Sequence, residues 1–328
     1  MMSGYGEAES REELPRLSFR NATREDSGPI IALLNATFRT QLDQPTWEWF
    51  VYGNPNGPSR VYLAQDTAQT IVGVIAFAPF KFLVQGKPVM GDFAHHLALQ
   101  RTYRDTLSYF TLTRLALQSE AYRGINFIIG PPNPVGYRVH KTMLKWVDFG
   151  FLDCLRKMSP CAKAHGCKQV SFFSEAFDRF YHSVSSNLSF CVDKNSTWMN
   201  WRFCQRPGRP YTVYLVHRNG EELAGYVILK RWQEPDGYRK AHIVDLHARD
   251  GASLSELMAA AESYAVGSDE LNLWAIQGYP YRAALEAIGF GTAGAPRQPL
   301  LARSFTGSPL KYPEGAASLA YGDGDTLY

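Results

Sequence analysis

Two adjacent histidines, His95 and His96, interrupt an apolar run, and Asp92 lies just ahead of them. Imidazole with an ordinary pKa exchanges a proton near neutral pH, and a nearby carboxylate can orient the ring or bind an amine or hydroxyl. On a strand, Asp92, Ala94 and His96 share one face and His95 takes the other, so one of the two histidines faces any cleft. A histidine hydrogen-bonded beneath a sheet competes with this reading for either one. Next come Gln100-Arg101-Thr102-Tyr103-Arg104-Asp105-Thr106, then residues 107–123, with Leu112, Leu115 and Ala116 on one helical face. A basic loop running into a helix start suits an anion. Free N–H groups point outward there, the helix dipole adds positive potential, and Arg101 and Arg104 bring charge. The plainer alternative is a solvated turn with two surface arginines. Further on, Tyr137 and His140 stand three apart on a predicted helix, roughly on one face, and both can carry a proton.

These residues need a frame. His95-His96-Leu97-Ala98-Leu99 reads as the strand before the loop, and Gly124 as the stop of the helix after it. Ile125-Asn126-Phe127-Ile128-Ile129 has the near-continuous apolar character of a strand buried on both faces. Gly130-Pro131-Pro132-Asn133-Pro134 ends it, because proline carries no N–H for pairing. Upstream, residues 17–21 form a short strand, and Thr23 with Asp26 caps a helix whose apolar side is Ile30, Ile31, Leu33, Leu34 and Phe38. A short aromatic helix follows at 47–52, then strands at 61–64 and 71–78. Gln85-Gly86 is a hairpin turn between 80–84 and 87–89.

The second half repeats part of the first. A shift of 152 positions superposes Trp49 on Trp201, Pro55 on Pro207, Pro58 on Pro210, Val61-Tyr62-Leu63 on Val213-Tyr214-Leu215, and Gly73 on Gly225. One ungapped register with these identities implies a duplicated helix–loop–strand–turn–strand unit. Coincidence between two aromatic-rich strands is the competing account. A strand at 242–247, a helix at 254–264, a strand at 271–276 and a helix at 280–288 complete the second unit. Asp245 and His247 stand at the end of its central strand, where they suit a hydroxylated acceptor or simply the core.

The order of elements resembles the Gcn5-related N-acetyltransferase (GNAT) superfamily. Arg20-Asn21-Ala22-Thr23-Arg24-Glu25-Asp26 is similar to the Arg-x-Ala-Thr-x-x-Asp opening of such domains. Tyr103-Arg104 matches part of the acyl-CoA loop, whose longer pattern expects glycines where Asp105 and Leu107 stand. Asn133 matches the asparagine that opens the last conserved motif, and His140 occupies that motif's tyrosine position. Gly289-Phe290 matches the Gly-Phe ending in the second unit, whose own loop, Asp250-Gly251-Ala252-Ser253, lacks the cofactor pattern.

The resemblance implies an α/β (α+β) chain of two tandem GNAT-like domains, each a mixed twisted sheet flanked by helices. The expected division is a flexible tail over 1–15, an acyl-CoA-binding domain over 16–158, a connecting segment over 159–190, a degenerate domain over 191–305 and a flexible tail over 306–328. It implies N-acyl transfer from acetyl-CoA or another acyl-CoA to a primary amine. A nucleotide-linked amino sugar is the first choice of acceptor. An aminoglycoside or an amino-acid-like metabolite is the alternative within enzymes, and a non-catalytic acyl-CoA-binding protein the alternative outside them. By resemblance, His95, His96, Tyr137 and His140 are the candidate proton-transfer groups. The backbone of Leu97, Ala98 and Leu99, with Arg101, Tyr103, Arg104, Asp105, Thr106 and Asn133, is expected at the cofactor. Asp92, Asp245 and His247 are expected at the acceptor.

Composition bounds the alternatives. A net charge of +3 over 328 residues gives no case for nucleic acid as the main partner. No apolar run reaches spanning length and no charged-then-apolar leader opens the chain, so a cytoplasmic protein with reduced thiols is expected. Cys154, Cys161, His165 and Cys167 fit no familiar zinc spacing, and no metal is expected.

Overall fold

The computed structural model describes residues 17–119, 124–208, 210–220, 222–292, 294, 297–307 and 310–324. The expected 1–15 tail lies outside the described residues, as do 308–309 and 325–328 of the C-terminal one.

The first unit opens with β1 (Ser18–Asn21), α1 (Ser27–Phe38) and α2 (Gln44–Tyr52). Thr23 and Asp26 form the capping contact, with Thr23 N–H donating to Asp26 Oδ2 at 2.7 Å, and Arg20 closes over the same carboxylate. Then come β2 (Arg60–Gln65), β3 (Ile71–Val84) and β4 (Lys87–Leu99). The strand pieces expected on either side of Phe80 are one long hairpin. Gln85 and Gly86 both take positive φ, 52° and 72°, as a two-residue turn matched to strand twist demands. α3 (Thr106–Gln118), β5 (Phe127–Gly130), α4 (Pro134–Thr142) and β6 (Val147–Met158) complete the unit.

The second unit repeats this order with β7 (Lys168–Val170), α5 (Ala176–Ser185), α6 (Ser196–Met199), β9 (Thr212–Arg218), β10 (Glu222–Gln233), β11 (Arg239–Ala248), α7 (Gly251–Tyr264), β12 (Glu270–Ile276), α8 (Arg282–Ala287) and β13 (Gln298–Ser304). The segment 159–190, expected as a connector, thus holds a strand paired with β9 and a helix whose Phe177, Phe180 and Tyr181 are buried. β8 (Phe190–Val192) extends the far end of β3.

The two units share a single thirteen-stranded sheet rather than one sheet each: twelve strands follow the order β1-β2-β3-β4-β5-β13-β6-β12-β11-β10-β9-β7, and β8 pairs with β3 off this path. The sixth strand of each unit pairs with the fifth strand of the other, β13 with β5 and β6 with β12, and the two exchanged strands pair together. One face of the first half carries α1 and α2, with Ile30, Leu34, Trp47 and Val51 packed on Leu63, Val74 and Ala98. The other carries α3 and α4, with Leu112, Ala116 and Val139 on Ile75, Phe77 and Ile128. Phe80, Phe93, Phe177, Trp198, Trp201 and Tyr226 belong to a further core that joins the halves.

The C-terminal stretch expected as a flexible tail is packed over residues 316–324. Ala317, Ser318, Leu319 and Asp323 are buried, and Ser318 N–H donates to Phe190 O at 2.9 Å. Its Gly, Ser and Ala residues, which read as low complexity, are what let backbone lie close against the sheet: a Cβ on Gly322 would sit 2.6 Å from the Phe203 ring.

Candidate functional site

β4 and β5 run parallel and pair only from Gly91↔Phe127 to Phe93↔Ile129. β4 continues to Leu99 while β5 ends at Gly130, so the backbone of residues 94–99 has no β5 partner. Pro131 and Pro132 enforce that divergence, since neither can donate to a ladder. The opening holds a cavity of about 230 Å3 lined by Ala94, His95, His96, Leu97, Tyr109, Asn133, His140, Trp146 and others. Leu301 of the exchanged strand β13 also lines it.

The strand alternation expected for the histidines fails at a bulge. β4 carries one extra residue between the pairs Val74↔Ala98 and Ala76↔His95, and His96 takes φ 51° there. The two rings therefore meet instead of pointing apart: His95 Nδ1 contacts His96 Nδ1, and both rings sit edge-on to Phe50. One of the two nitrogens must carry the proton for that contact to attract. Burial holds the His95 pKa well below the usual imidazole range, and the nearby His96 and Arg202 push it the same way. His95 Nε2 is buried with no hydrogen-bond partner among the described residues.

On the opposite wall, Asn133 caps α4, its Oδ1 accepting from Gly136 N–H at 2.8 Å. One helical step on, His140 is buried edge-on to Trp146, with Nδ1 2.7 Å from Gly136 O and 3.2 Å from the Tyr109 hydroxyl. Burial pushes its pKa down to about 4, so the ring is neutral at pH 7. Tyr137 faces away from the cavity. Its hydroxyl donates to Asp148 Oδ1 at 2.9 Å, and Lys141 joins the same carboxylate. The 3.6-residue period explains the split, since a three-residue step turns the two side chains about 60° apart.

The loop residues have internal partners. Arg101 and Thr106 are exposed. Tyr103 OH donates to Asp66 at 3.3 Å, and Arg104 Nε donates to Leu99 O at 2.8 Å. Asp105 caps α3, its carboxylate accepting from Ser108 N–H at 2.8 Å and Ser108 Oγ at 2.5 Å. Those bonds outweigh burial and hold the Asp105 pKa below the usual carboxylate range, so a negative charge stands at the helix start that was expected to take an anion. Asp250 caps α7 of the second unit in the same way, accepting from Ser253 N–H at 2.7 Å. The side chains of Ala98 and Leu99 are core, packed under α1–α2 and α3 respectively.

The three residues expected at the acceptor lie away from the cavity lining. Asp92 is fully buried against Arg60. Asp245 bonds Lys194 Nζ at 2.7 Å and accepts from Tyr226 OH at 3.0 Å. Lys194 also reaches Asp323 at 2.9 Å, so the C-terminal stretch closes over this group. His247 is buried, with Nε2 3.3 Å from Ser318 Oγ. Tyr109 and Trp146 line the cavity and were not singled out from the sequence. A tyrosine within the amphipathic helix 107–123 reads as core. The one available signal was Gly136, a glycine inside a helix, which marks a close approach from outside.

Among the described residues, no group of three or more His, Cys, Asp or Glu side chains is gathered as metal ligands, and no helix is long and apolar enough to cross a membrane. No protein-family model and no curated protein sequence matches the chain. Solved structures do. A GCN5-related N-acetyltransferase from Anabaena variabilis aligns over 88% of this chain and 73% of its own, with TM-score 0.66 and 15% identity. Saccharomyces cerevisiae N-myristoyltransferase with bound myristoyl-CoA aligns over 92% of this chain and 86% of its own, with TM-score 0.64 and 11% identity. A putative acetyltransferase from Pyrococcus horikoshii aligns over 98% and 100%, with TM-score 0.60 and 12% identity. At these identities the likeness is one of fold, and the chain has the GNAT-like fold of these structures, spread over its two halves.

Proposed function

We propose that the chain transfers an acyl group from acyl-CoA to a primary amine in the opening between β4 and β5. The observation that carries this is the divergence of β4 from β5 beyond Phe93, beside a cavity lined by His95, His96, Asn133 and His140. An extended amide-bearing chain such as the pantetheine arm pairs with a free strand edge as an added strand does. Backbone N–H groups near Leu97 then lie where a tetrahedral oxyanion forms. The His95–His96 pair takes the proton from the attacking amine. His95 is buried and held neutral, and the half-buried His96 ring that touches it is the route by which the proton passes on to solvent. Arg101 and Arg104 are both exposed at the loop; Arg101 is the cation for the CoA phosphates, while Arg104 also braces the end of β4.

For the acceptor we take a nucleotide-linked amino sugar first, following the tandem arrangement. Aminoglycosides and amino-acid-like metabolites are the alternatives. Thiol release from acetyl-CoA across a panel of such amines tests the reading. Release that depends on one class assigns it. CoA binding with no amine-dependent release from any of them supports a non-catalytic acyl-CoA-binding protein instead.

A further inference from the structure

The geometry points to Tyr109 of α3 as the hydrogen-bond donor to the departing thiolate, with His140 of α4 as its positioning residue. This rests on the acyl-CoA reading above and names a residue that α4 does not supply.

A carbonyl oxygen only accepts, so the 2.7 Å approach of Gly136 O places the His140 ring's proton on Nδ1. The ring is neutral and holds one proton, so Nε2 is bare. The Tyr109 oxygen, 3.2 Å from the same Nδ1–H, can then only accept the second branch of a shared bond. The hydroxyl's own hydrogen is not spent on His140, and it is free to turn toward the cavity that Tyr109 lines. Gly136 makes this placement possible, because a Cβ there would stand 2.7 Å from the hydroxyl oxygen. A glycine inside α4 weakens the helix, and here it leaves room for one oxygen atom. Tyr137 of α4 is committed to Asp148.

The chemistry follows from proton affinities. When the tetrahedral adduct collapses, the C–S bond breaks, its electron pair goes to sulfur and the carbonyl re-forms. The amine proton has gone to the histidine pair and passes to solvent. A thiol has a reference pKa of about 8.5 and a phenol about 10, and burial raises Tyr109 above its ordinary value. Complete transfer of the phenol proton to the thiolate is therefore unfavourable by more than tenfold. Tyr109 keeps its proton and stabilises the anion through a hydrogen bond, and the thiolate takes a proton from water after release.

The test needs no acceptor. Free CoA is bound to the full chain, and thiolate absorbance is followed between about pH 6 and 9.5, with Tyr109→Phe and His140→Asn as variants. Tyr109→Phe is expected to raise the pKa of the bound thiol by about one unit, a tenfold loss of thiolate stabilisation, and His140→Asn to raise it by less. A parent chain that binds no CoA overturns the function proposed above, and this inference with it. CoA bound by both variants with thiol pKa within about 0.3 of the parent overturns this inference alone. Loss of CoA binding in Tyr109→Phe makes the hydroxyl a binding group rather than a leaving-group partner, and also overturns it.

Discussion

Trp49 and Trp201 stack with ring centroids 5.2 Å apart, and each donates its indole N–H to the other's backbone carbonyl, at 2.8 and 3.1 Å. They are 152 residues apart, the same shift that aligns the two halves of the sequence. The pair lies where the repeat meets itself, and its two hydrogen bonds are the same bond made twice. Truncating Trp201, which is 4% exposed, to alanine removes the stack, one bond and a large buried volume. The expected cost is about 3–5 kcal/mol in urea unfolding, against about 1 kcal/mol for Trp49→Phe, which loses mainly its indole bond. Equal and small effects would show that the junction is not held there.

Asp105 sets a second prediction, because capping and cofactor binding oppose each other at one carboxylate. Asp105→Asn keeps a good N-cap and removes the charge from the start of α3. CoA affinity is expected to rise several-fold with stability changed by less than about 1 kcal/mol. Arg101→Glu is expected to weaken CoA binding by about tenfold or more, as a phosphate contact becomes repulsive. Calorimetric titration reads both. Unchanged affinity in Asp105→Asn would place the diphosphate elsewhere.

Lys194, between Asp245 and Asp323, is structural on this account. Lys194→Met leaves two carboxylates buried together and is expected to cost about 3–5 kcal/mol. Asp245→Asn leaves the Lys194–Asp323 pair in place and is expected to cost less. An Asp245→Asn chain of parental stability with a raised acceptor KM would return Asp245 to the substrate site.

Acid should destabilise the fold through its buried histidines. Burial pushes His140 and His247 down to about 4, from about 6.5 in the unfolded chain. A depressed folded pKa means the stabilising contribution is complete above about pH 6.5, is lost progressively as pH falls from there, and is gone once pH has passed below about 4. At pH 5 each ring is expected to have lost about 2 kcal/mol relative to pH 7. His247→Gln should remove about that much of the difference between denaturant unfolding at the two pH values. A pH 5 to 7 difference that His247→Gln leaves unaltered would rule out its part.

Local signals were legible in the sequence wherever one stretch of chain decides the structure. The Thr23–Asp26 cap, the Gln85-Gly86 turn and the divergence after Gly130 depend on neighbours a few residues apart. The strand exchange does not, because β13 and β6 carry the same apolar pattern whichever unit they pair with. The bulge at His96 was hidden for a related reason: alternation predicts faces only while the register holds, and nothing in His95-His96-Leu97 announces the extra residue. At the loop, both arginines drew attention to an anion. Asp105 with Ser108 three residues on was an ordinary N-cap pattern, and the structure follows that pattern. Asp245 and His247 read as site residues because polar groups at a strand end are normally solvated. Their burial depends on the chain from 314 to 324, whose composition gave no sign of packing.

The central claim is that acyl-CoA enters between β4 and β5 and that the chain holds one such site. Its most direct test is titration of the full chain with acetyl-CoA, alongside Ala94→Trp, which fills the cavity lining opposite Gly130. The account predicts saturation at about one equivalent for the parent and at least a tenfold weaker association for Ala94→Trp, with the variant's thermal unfolding cooperative. Two equivalents of similar affinity, or an Ala94→Trp chain that binds as the parent does, would contradict it.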